Sequence, residues 1–317
     1  MFTLFKKVPF AISFSDTHLQ AVQLSDGNGQ PKIETVSEIS INPGVIKNGE
    51  ILDKKPLSEA IKKLLQQAKP SAINQKECLF TFPENQSFEY VFYLSKDLWG
   101  ENLKQELEKK ISLTFPLTLA EISYDFVTYV FNTIQVVFVV MVKKNILQNY
   151  IEILKDAGLK PLKVEPESLS LLRNLVNFEM DQKSILIHFG NDELTWFLLF
   201  NGLVFDSNRV AFKDSSQLLK DLQKSHQYFS ETTGQSVEKI FATGILENME
   251  SICHDLQVFL PVQECKNYQI QFQEFNAASF GFPIEEFQKG KFSAITGSAL
   301  RNFEKVDKLG KINLFKS

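Results

Sequence analysis

Two stretches of the chain share one order of elements: three short apolar strands joined by two tight turns, followed by a helical pattern. The first copy lies at about residues 10–41 and the second at residues 184–212. In both copies β-branched and aromatic residues alternate with polar residues, as in half-buried strands. A duplicated unit of this kind indicates a fold with two similar halves, each with a sheet covered by helices.

The first copy defines the start of the first half. Its strands are predicted at about 10–15, 18–25 and 32–41. The turn Ser25–Gly29 (SDGNG) is a strong hairpin signal. A helix is predicted at about 55–69, where apolar residues recur at helical spacing after Asp53, a residue type that caps helices. The second copy leads in the same way into a predicted helix near 215–230.

A smaller α/β unit separates the two copies. Its strands are predicted at Tyr90–Leu94, Glu121–Val130 and Ile134–Val142, and its helices at about 97–112 and 144–157. The second of these helices ends at Gly158, and glycine is preferred just beyond a helix C-terminus. We interpret the proline-containing segment Gly158–Ser168 that follows as an extended crossing between subdomains.

Charge and apolar patterning exclude several classes of protein. The chain has 317 residues, a net charge of −4 and no dense run of Lys or Arg, which argues against a nucleic-acid partner. Its longest apolar run, at Ile134–Val142, is much shorter than the about 20 residues that span a bilayer. The three cysteines, Cys78, Cys253 and Cys265, have neither zinc nor disulfide spacing. We therefore expect a cytoplasmic protein with buried thiols, without a metal site and without a membrane span.

Four segments carry a resemblance to a known family. They are PGVIKNGEI (Pro43–Ile51), SYDF (Ser123–Phe126), YIEILKDAGLKPLKVEPESLSLLR (Tyr150–Arg173) and SAITGSALR (Ser293–Arg301). Together they resemble the PilM family of type IV pilus assembly proteins. The segments follow in order along nearly the whole chain, so the resemblance is more specific than any single motif.

The resemblance implies an actin-like (ribonuclease H-like) α/β fold, similar to that of the cell-division protein FtsA. This fold has two lobes, here with an inserted small subdomain and a reduced fourth subdomain. Members of the family lie at the cytoplasmic face of the inner membrane and bind the short cytoplasmic N-terminus of PilN, and many bind ATP. The resemblance therefore implies a PilN-like inner-membrane partner, in a pilus or a related secretion assembly.

The expected subdomain boundaries follow from the element order and the resemblance. They are 1–84 plus 161–182 for the first actin-like subdomain, 85–160 for the inserted subdomain, 183–310 for the second half and 311–317 for a tail. Within the second half, residues 213–239 are expected to form a reduced outer lobe. The reason is that the chain between Phe212 and Ile240 has room for only one good helix.

Compared with the family's first phosphate motif, the turn after the first strand lacks several nucleotide ligands. Ser13 stands where the resemblance places an aspartate, Ser15 where it places a glycine, and Gln20 where it places a lysine. A carboxylate is needed for the Mg²⁺ that accompanies a triphosphate, and serine provides none. The hairpin therefore keeps its strands but not the expected ligands.

The second and third phosphate motifs are altered in a similar way. In HFGNDEL, His188 replaces an aspartate and Leu194 replaces a threonine, whereas Gly190 is kept. In FATGILENM, Gly244 is kept and Ile245 replaces a second glycine. The branched side chain of isoleucine would obstruct close approach of a nucleotide to the backbone.

Because all three phosphate motifs lack expected ligands, the sequence favours a pseudo-ATPase, that is, a non-catalytic scaffold. The family's cofactor would be ATP with Mg²⁺, and for this chain we expect no cofactor. Two alternatives stay open. One is an active ATP-binding protein of the same fold, which the residues at Ser13, His188 and Ile245 argue against. The other is an FtsA-like filament protein of cell division, which would need a C-terminal amphipathic membrane helix longer than KINLFKS.

The C-terminal segment KINLFKS (Lys311–Ser317) has a resemblance of its own. Its residues Ile312, Asn313, Leu314 and Phe315 resemble the Ile-Asn-Leu-Leu segment with which PilN begins. A match of four residues can arise by chance. The alternative hypothesis is that the tail fills the partner groove of its own chain or of a neighbouring copy, because alternating apolar anchors suit groove recognition. We expect that groove between the first sheet and the inserted subdomain.

The acidic segment Glu165–Ser168 (EPES) precedes a predicted helix at Leu169–Leu175. Carboxylates and hydroxyls just before a helix bind the free N–H groups of its first turn. We therefore interpret the segment as a helix cap and not as a chemical site.

Overall fold

A computed structural model describes residues 8–27, 30–176, 183–189, 193–211, 215–244, 269–272, 292–303 and 312–314 of the chain. The helices in these ranges are α1 (Lys54–Gln66), α2 (Gly100–Thr114), α3 (Lys144–Asp156), α4 (Glu167–Val176), α5 (Ser215–Thr233) and α6 (Ser293–Leu300). None of the described helices is long and apolar enough to cross a membrane.

The first half is built on a five-stranded mixed sheet. Its strands are β1 (Phe10–Phe14), β2 (His18–Gly27), β3 (Gln30–Ser40), β6 (Glu77–Phe82) and β10 (Lys160–Pro166), in the spatial order β10-β6-β1-β2-β3. The first three strands form consecutive antiparallel hairpins, whereas β6 is parallel to β1 and β10 is parallel to β6. The sheet therefore has β10 at one edge and β3 at the other.

Helices cover both faces of the first sheet. On one face α1 and α3 bury a group of aromatic side chains, in which the ring of Tyr150 lies 5.0 Å from Phe14 and 5.5 Å from Phe82. On the other face α6 packs against β1 and β2, with Ile295 and Ala299 in one apolar cluster with strand residues. Helix α4 packs against α6 on this face. Burial of large aromatic rings is a strong apolar contribution to such a core.

The inserted subdomain is a three-stranded antiparallel sheet with one covering helix. Its strands are β7 (Ser87–Ser95), β8 (Ile122–Phe131) and β9 (Ile134–Lys143), in the order β7-β9-β8. Residues 136–142 of the central strand are all buried, because successive side chains alternate between two apolar surroundings. Those packing with α2 are Val137, Val139 and Met141, and those in the core of the first half are Phe138, Val140 and Val142.

The second half repeats the five-stranded plan. Its strands are β11 (Ser184–Phe189), β12 (Glu193–Phe200), β13 (Leu203–Ala211), β14 (Lys239–Gly244) and β15 (Gln269–Phe272), in the order β13-β12-β11-β14-β15. The described residues between β13 and β14 contain one helix, α5. Edge strand β13 contacts the inserted subdomain, where the hydroxyl of Tyr93 donates to the carbonyl of Phe205 at 3.1 Å. The inserted subdomain thus touches both halves.

The remaining two strands, β4 (Ile46–Lys47) and β5 (Glu50–Ile51), form a short hairpin in the first half. Its turn is Asn48–Gly49, and both residues have positive φ angles, of 50° and 72°. This is the backbone of a type I′ turn, for which Asn-Gly is the preferred sequence.

In the first half the structure differs from the sequence prediction at several places. Strand β6 was not predicted, and the segment Gly158–Ser168, interpreted as a crossing, contains strand β10 paired in parallel with β6. Strand β6 is buried from Cys78 to Phe82 and β10 is buried at its last three residues, so neither shows clear alternation. The helix predicted at 55–69 ends at Gln66. Helix α3, inside the expected inserted subdomain at 85–160, packs with α1 and β10 of the first half and also with β9 of the inserted sheet, so that boundary stays a prediction.

Candidate functional site

A groove separates two sheet edges in the structure, and a segment of the C-terminal tail lies in it. One wall is β10, the edge strand of the first sheet, and the other is β8, an edge strand of the inserted sheet. Residues 312–314 contact groups on both strands and belong to neither sheet. We call this space the β8–β10 groove.

Asn313 binds both walls of the β8–β10 groove. Its side-chain oxygen accepts a hydrogen bond from the backbone N–H of Val164 on β10, at 3.0 Å. Its own backbone N–H donates to the carboxylate of Asp125 on β8, at 2.6 Å. Asn313 is 5% exposed, so these bonds form away from bulk water, where an unmade bond costs most. The pair of contacts fixes the position of the tail along both strands.

The two neighbours of Asn313 are apolar anchors. Ile312 and Leu314 are fully buried and belong to the main apolar core of the first half. The hydroxyl of Ser123 on β8 donates to the carbonyl of Leu314 at 3.4 Å. Burying a side chain of this size contributes about 1.5–3 kcal/mol relative to leaving it exposed. Phe315, the fourth residue of the predicted tail peptide, lies outside the described residues.

A buried ionic cluster lies next to the tail. Glu165 accepts from Nη2 of Arg173 at 2.7 Å and from Nη1 of Arg301 at 2.8 Å, and all three side chains are about 1% exposed. Burial opposes ionisation of Glu165, but the two guanidinium groups outweigh it and hold the pKa of the carboxyl below its ordinary value. Arg301 also donates to the carbonyl of Ile312. The cluster therefore joins β10, α4, the end of α6 and the tail.

This cluster corrects the interpretation of the segment Glu165–Ser168. Glu165 is part of β10 and is a partner of two arginines, and it is not a cap of the following helix. Its partners are 8 and 136 residues away in the chain. Ser168 donates instead to Glu89 of β7 at 2.7 Å. The segment therefore connects subdomains, while Glu167 lies in the first turn of α4, where its charge favours the start of the helix as predicted.

The turn at the first phosphate motif, Ser15–His18, forms its hydrogen bonds internally. The backbone N–H groups of Thr17 and His18 donate to the hydroxyl oxygen of Ser15 at 3.3 and 3.0 Å. The N–H of Ser15 donates to the carbonyl of His18 at 3.0 Å. A phosphate cradle needs such N–H groups to point at the ligand. In this turn the side chain of Ser15 takes the place of an external acceptor.

The acidic residue of the same turn is bound elsewhere. The carboxylate of Asp16 accepts from the backbone N–H groups of Asn48 and Gly49, at 2.6 and 2.9 Å, in the β4–β5 turn. That turn is also held by Tyr150, whose hydroxyl donates to the carbonyl of Gly49 at 2.8 Å, and by Gln86, which donates to Asn48 at 2.6 Å. Asp16 thus ties two turns together.

Ser13 and Gln20 lie in a row of side chains that crosses the first sheet. Strand register places them beside one another, and the row consists of Glu165, Thr81, Ser13, Gln20 and Glu38. Gln20 is buried and donates to Glu38 at 2.8 Å, and Glu165 is paired with arginine. Both carboxylates of the row therefore have hydrogen-bond donors from the protein. The residues at this motif do not match the Mg²⁺ and phosphate ligands that the family would supply.

The second-half positions show a similar mismatch. His188 lies on β11, half-buried, opposite Thr195 and Thr243. Leu194 is fully buried in the apolar core of the second half. Gly244 ends β14 opposite Phe189. Gly190 and Ile245 lie outside the described residues. Within the described part of the chain, no group of three or more His, Cys, Asp or Glu side chains is arranged to hold a metal ion.

Sequence reasoning did not identify Asp125, Val164 and Arg301 as groove residues. Asp125 stands out only weakly, as a charged residue within the apolar strand segment SYDF. Arg301 directly follows an apolar helix, which is an uncommon place for a fully buried charge. The acceptor requirement of Val164 carries no sequence signal, because every non-proline residue has the same N–H group.

Comparison with known proteins agrees with the expected family. The sequence matches the model of the family described as type IV pilus assembly protein PilM over residues 11–185, which is more than half of the chain. No curated protein sequence matches the chain significantly.

Solved structures with the same fold extend over nearly the whole chain. The PilM–PilN type IV pilus biogenesis complex has a TM-score of 0.72 at 16% identity, covering 93% of this chain and 98% of that one. The cytoplasmic domain of EpsL, an inner-membrane component of the type II secretion system of Vibrio cholerae, has a TM-score of 0.51 at 11% identity, covering 97% and 98%. Together with the family match, these two structures confirm the predicted actin-like fold.

Proposed function

The chain belongs to the PilM family of type IV pilus assembly proteins, and from this premise we propose that it is a non-catalytic scaffold that captures the N-terminal peptide of a PilN-like inner-membrane partner. The observation that supports peptide capture is the β8–β10 groove, in which a short segment is held by two edge strands and by burial of its apolar side chains in the core. Edge strands with free hydrogen-bonding capacity and alternate apolar pockets are a recurring way of recognising extended peptides.

The proposed assembly is a type IV pilus or a type II secretion-like machine. Two relatives by fold support it: one was solved as a PilM–PilN complex and the other is the cytoplasmic domain of an inner-membrane secretion component. In this proposal the protein is held peripherally at the cytoplasmic face of the inner membrane through its partner.

The absence of catalysis is the second part of the proposal. It is supported by the Ser15–His18 turn, whose N–H groups are bound within the turn, and by the engagement of Asp16 with the β4–β5 turn. The apolar burial of Leu194 supports it in the second half. Phosphoryl transfer needs charge neutralisation and an aligned water. At the first motif Gln20 stands in place of a cationic side chain, and the carboxylate of Asp16 is bound by the β4–β5 turn.

Two measurements test the proposal separately. A synthetic peptide of the partner's N-terminus should bind the full chain by calorimetry at a single site. In hydrogen exchange it should change the protection of β8 and β10, with α5 as the internal control. Failure to bind the chain would overturn peptide capture.

The second measurement is a titration with Mg-ATP by calorimetry, for which we expect no saturable heat. Binding at micromolar concentration to one site would overturn the pseudo-ATPase. Because the two measurements use different ligands, either part of the proposal can fail alone.

A further inference from the structure

We propose that residues 312–314 are a built-in competitor, which occupies the β8–β10 groove of its own chain until the partner peptide displaces it. This inference rests on the proposed function, because it names the regulation of the same groove. Its basis is the seating of the tail: an apolar residue, an asparagine and a second apolar residue, each 5% exposed or less.

The tail is bound as a peptide ligand is bound. Its described residues form no strand of either sheet, and their contacts are made with side chains and with single backbone groups of the walls. The nearest described residue before the tail is Phe303, and residues 304–311 connect the two. Because a segment with these contacts is not part of a strand ladder, it can leave the groove without unpairing either sheet.

The side-chain oxygen of Asn313 does what the backbone of an added strand would do. It accepts from the outward-facing N–H of Val164, while Asp125 receives the backbone N–H of Asn313 from the opposite wall. A competing peptide with an apolar–Asn–apolar core would satisfy the same donor and acceptor and fill the same two pockets. The groove therefore selects this pattern from the tail or from a partner without rearrangement of its walls.

The connection of the tail to the body makes it an effective competitor. Because the tail belongs to the same chain, its binding is intramolecular, and for a connection of a few residues the effective concentration at the groove is about 1 mM. A free peptide displaces the tail only when its concentration, relative to its dissociation constant, exceeds the effective concentration of the tail relative to the tail's own dissociation constant. We expect release of the tail to raise the affinity for the partner peptide by about tenfold or more.

Occupancy of the groove is also linked to the contact between α4 and α6. Arg301 donates to the carbonyl of Ile312 and to Glu165, which is paired with Arg173 of α4. A peptide that replaces the tail must supply the carbonyl that Arg301 now binds, or leave a buried donor with one acceptor fewer. The proposal therefore requires the partner peptide to place a carbonyl where that of Ile312 now lies.

The decisive experiment compares the full chain with Asn313→Asp, which places a second carboxylate close to Asp125 and should expel the tail. Two fluorescent probes are titrated by anisotropy: the tail peptide KINLFKS and the N-terminal peptide of the PilN-like partner. We expect both to bind Asn313→Asp at least tenfold more tightly than the full chain, and unlabelled KINLFKS to compete with the partner peptide. Asn74→Asp, at an exposed asparagine, is the matched control and should behave as the full chain.

The outcomes separate this inference from the proposed function. If the partner peptide binds both proteins equally, the groove is not its site and the competitor inference fails, while peptide capture stands. If KINLFKS binds Asn313→Asp but the partner peptide does not, the tail is displaceable and the proposed partner is wrong. If neither probe binds, the tail is a fixed part of the core and the inference fails.

A second variant protects the test against poor folding of Asn313→Asp. In a chain that lacks residues 311–317, added KINLFKS should raise the unfolding temperature in a concentration-dependent way, because a ligand that binds only the folded state stabilises it. No rise at millimolar peptide would overturn the inference. Docking of the tail on a second copy would instead make the mass of the full chain in solution increase with concentration, and that result would overturn occupancy in the same chain.

Discussion

The side-chain oxygen of Asn313 lies 3.0 Å from the backbone nitrogen of Val164 and accepts its hydrogen bond at the outer edge of β10. Val164 is fully buried, so its N–H group depends on a protein acceptor. An asparagine in the tail thus completes the hydrogen bonding of an edge strand that precedes it by 149 residues. The tail has a structural role as well as the proposed competitive one.

The first prediction concerns this hydrogen bond. Asn313→Ala should lower the free energy of unfolding by about 1–3 kcal/mol, because the buried N–H of Val164 loses its acceptor. Urea denaturation followed by circular dichroism measures the change. Asn74→Ala, at an exposed asparagine, should stay within about 0.5 kcal/mol of the unmodified chain. Equal values for the two variants would show that the bond at Val164 contributes nothing.

The second prediction concerns the buried ionic cluster. Glu165→Gln should lower the free energy of unfolding by about 3–5 kcal/mol, because it leaves the guanidinium groups of Arg173 and Arg301 without a countercharge. Glu77→Gln breaks an exposed pair with Lys160 at the same sheet edge and should cost at most about 1 kcal/mol. A loss at position 165 no larger than at position 77 would mean that the cluster is solvated.

The same carboxylate gives a pH dependence whose sign is fixed. The pKa of Glu165 is lower in the folded chain than in the unfolded chain, so its contribution is complete above the unfolded value of about 4.3 and is lost as the pH falls through the folded value. As the pH falls below about 5, the unmodified chain should therefore lose stability more steeply than Glu165→Gln. Parallel curves of unfolding temperature against pH would contradict this assignment.

Alternation and turn residues predict the duplicated hairpins well, because apolar and polar residues alternate along β2 and β3 and Asn-Gly favours a tight turn. The strands β6 and β10 could not be predicted in this way, because both pair in parallel and neither alternates regularly between buried and exposed side chains. The sequence pattern shows which residues are apolar, but for strands paired in parallel it does not show which strand or helix they pack against.

Some features of the candidate site could likewise be predicted from the sequence, and others could not. The altered phosphate residues Ser13, Gln20 and Leu194 are visible in the sequence, because each differs in chemistry from the expected ligand. The role of Glu165 was not visible, because its partner Arg301 lies 136 residues away and proximity to a helix suggested a local cap. The role of Ser15 as an acceptor in its own turn could not be predicted from the sequence either, since it depends on the direction of two N–H groups.

The third prediction compares two glycines with positive φ angles in the same region. Gly44 (φ 87°) has open space where a Cβ would be, whereas a Cβ on Gly49 (φ 72°) would lie 2.3 Å from the side-chain oxygen of Asn85 and 2.8 Å from Cγ of Gln86. Gly44→Ala should cost about 1 kcal/mol for the backbone alone. Gly49→Ala should cost about 1–3 kcal/mol more, because Gln86 must move from its bond to Asn48.

Thermal and urea unfolding of both glycine variants would measure that difference. An equal cost at the two positions would show that the side chains of Asn85 and Gln86 move aside freely. A larger cost at Gly49, together with weaker proteolytic resistance of the β4–β5 turn, would show that the turn bound by Asp16 is a rigid part of the first half.

The fourth prediction is a stabilising substitution in the second half. Burial raises the pKa of Asp206 on β13, and the neighbouring carboxylate of Asp221 raises it further, although Ser207 donates its backbone N–H to Asp206 at 2.9 Å. A folded pKa above the unfolded value means that stability is complete below about pH 3.9 and falls as the pH rises through the folded value. Asp206→Asn keeps an acceptor for Ser207 and removes the buried charge.

We therefore expect Asp206→Asn to raise the unfolding temperature at pH 8 and to have little effect at pH 3.5, as measured by calorimetry at both values. Asp97→Asn, at an exposed aspartate in the β7–α2 connection, is the control and should show no such dependence on pH. A variant that is less stable than the unmodified chain at pH 8 would mean that Asp206 has a charged partner in the folded protein. Stabilisation that grows with pH would instead establish that the buried charge of Asp206 opposes folding.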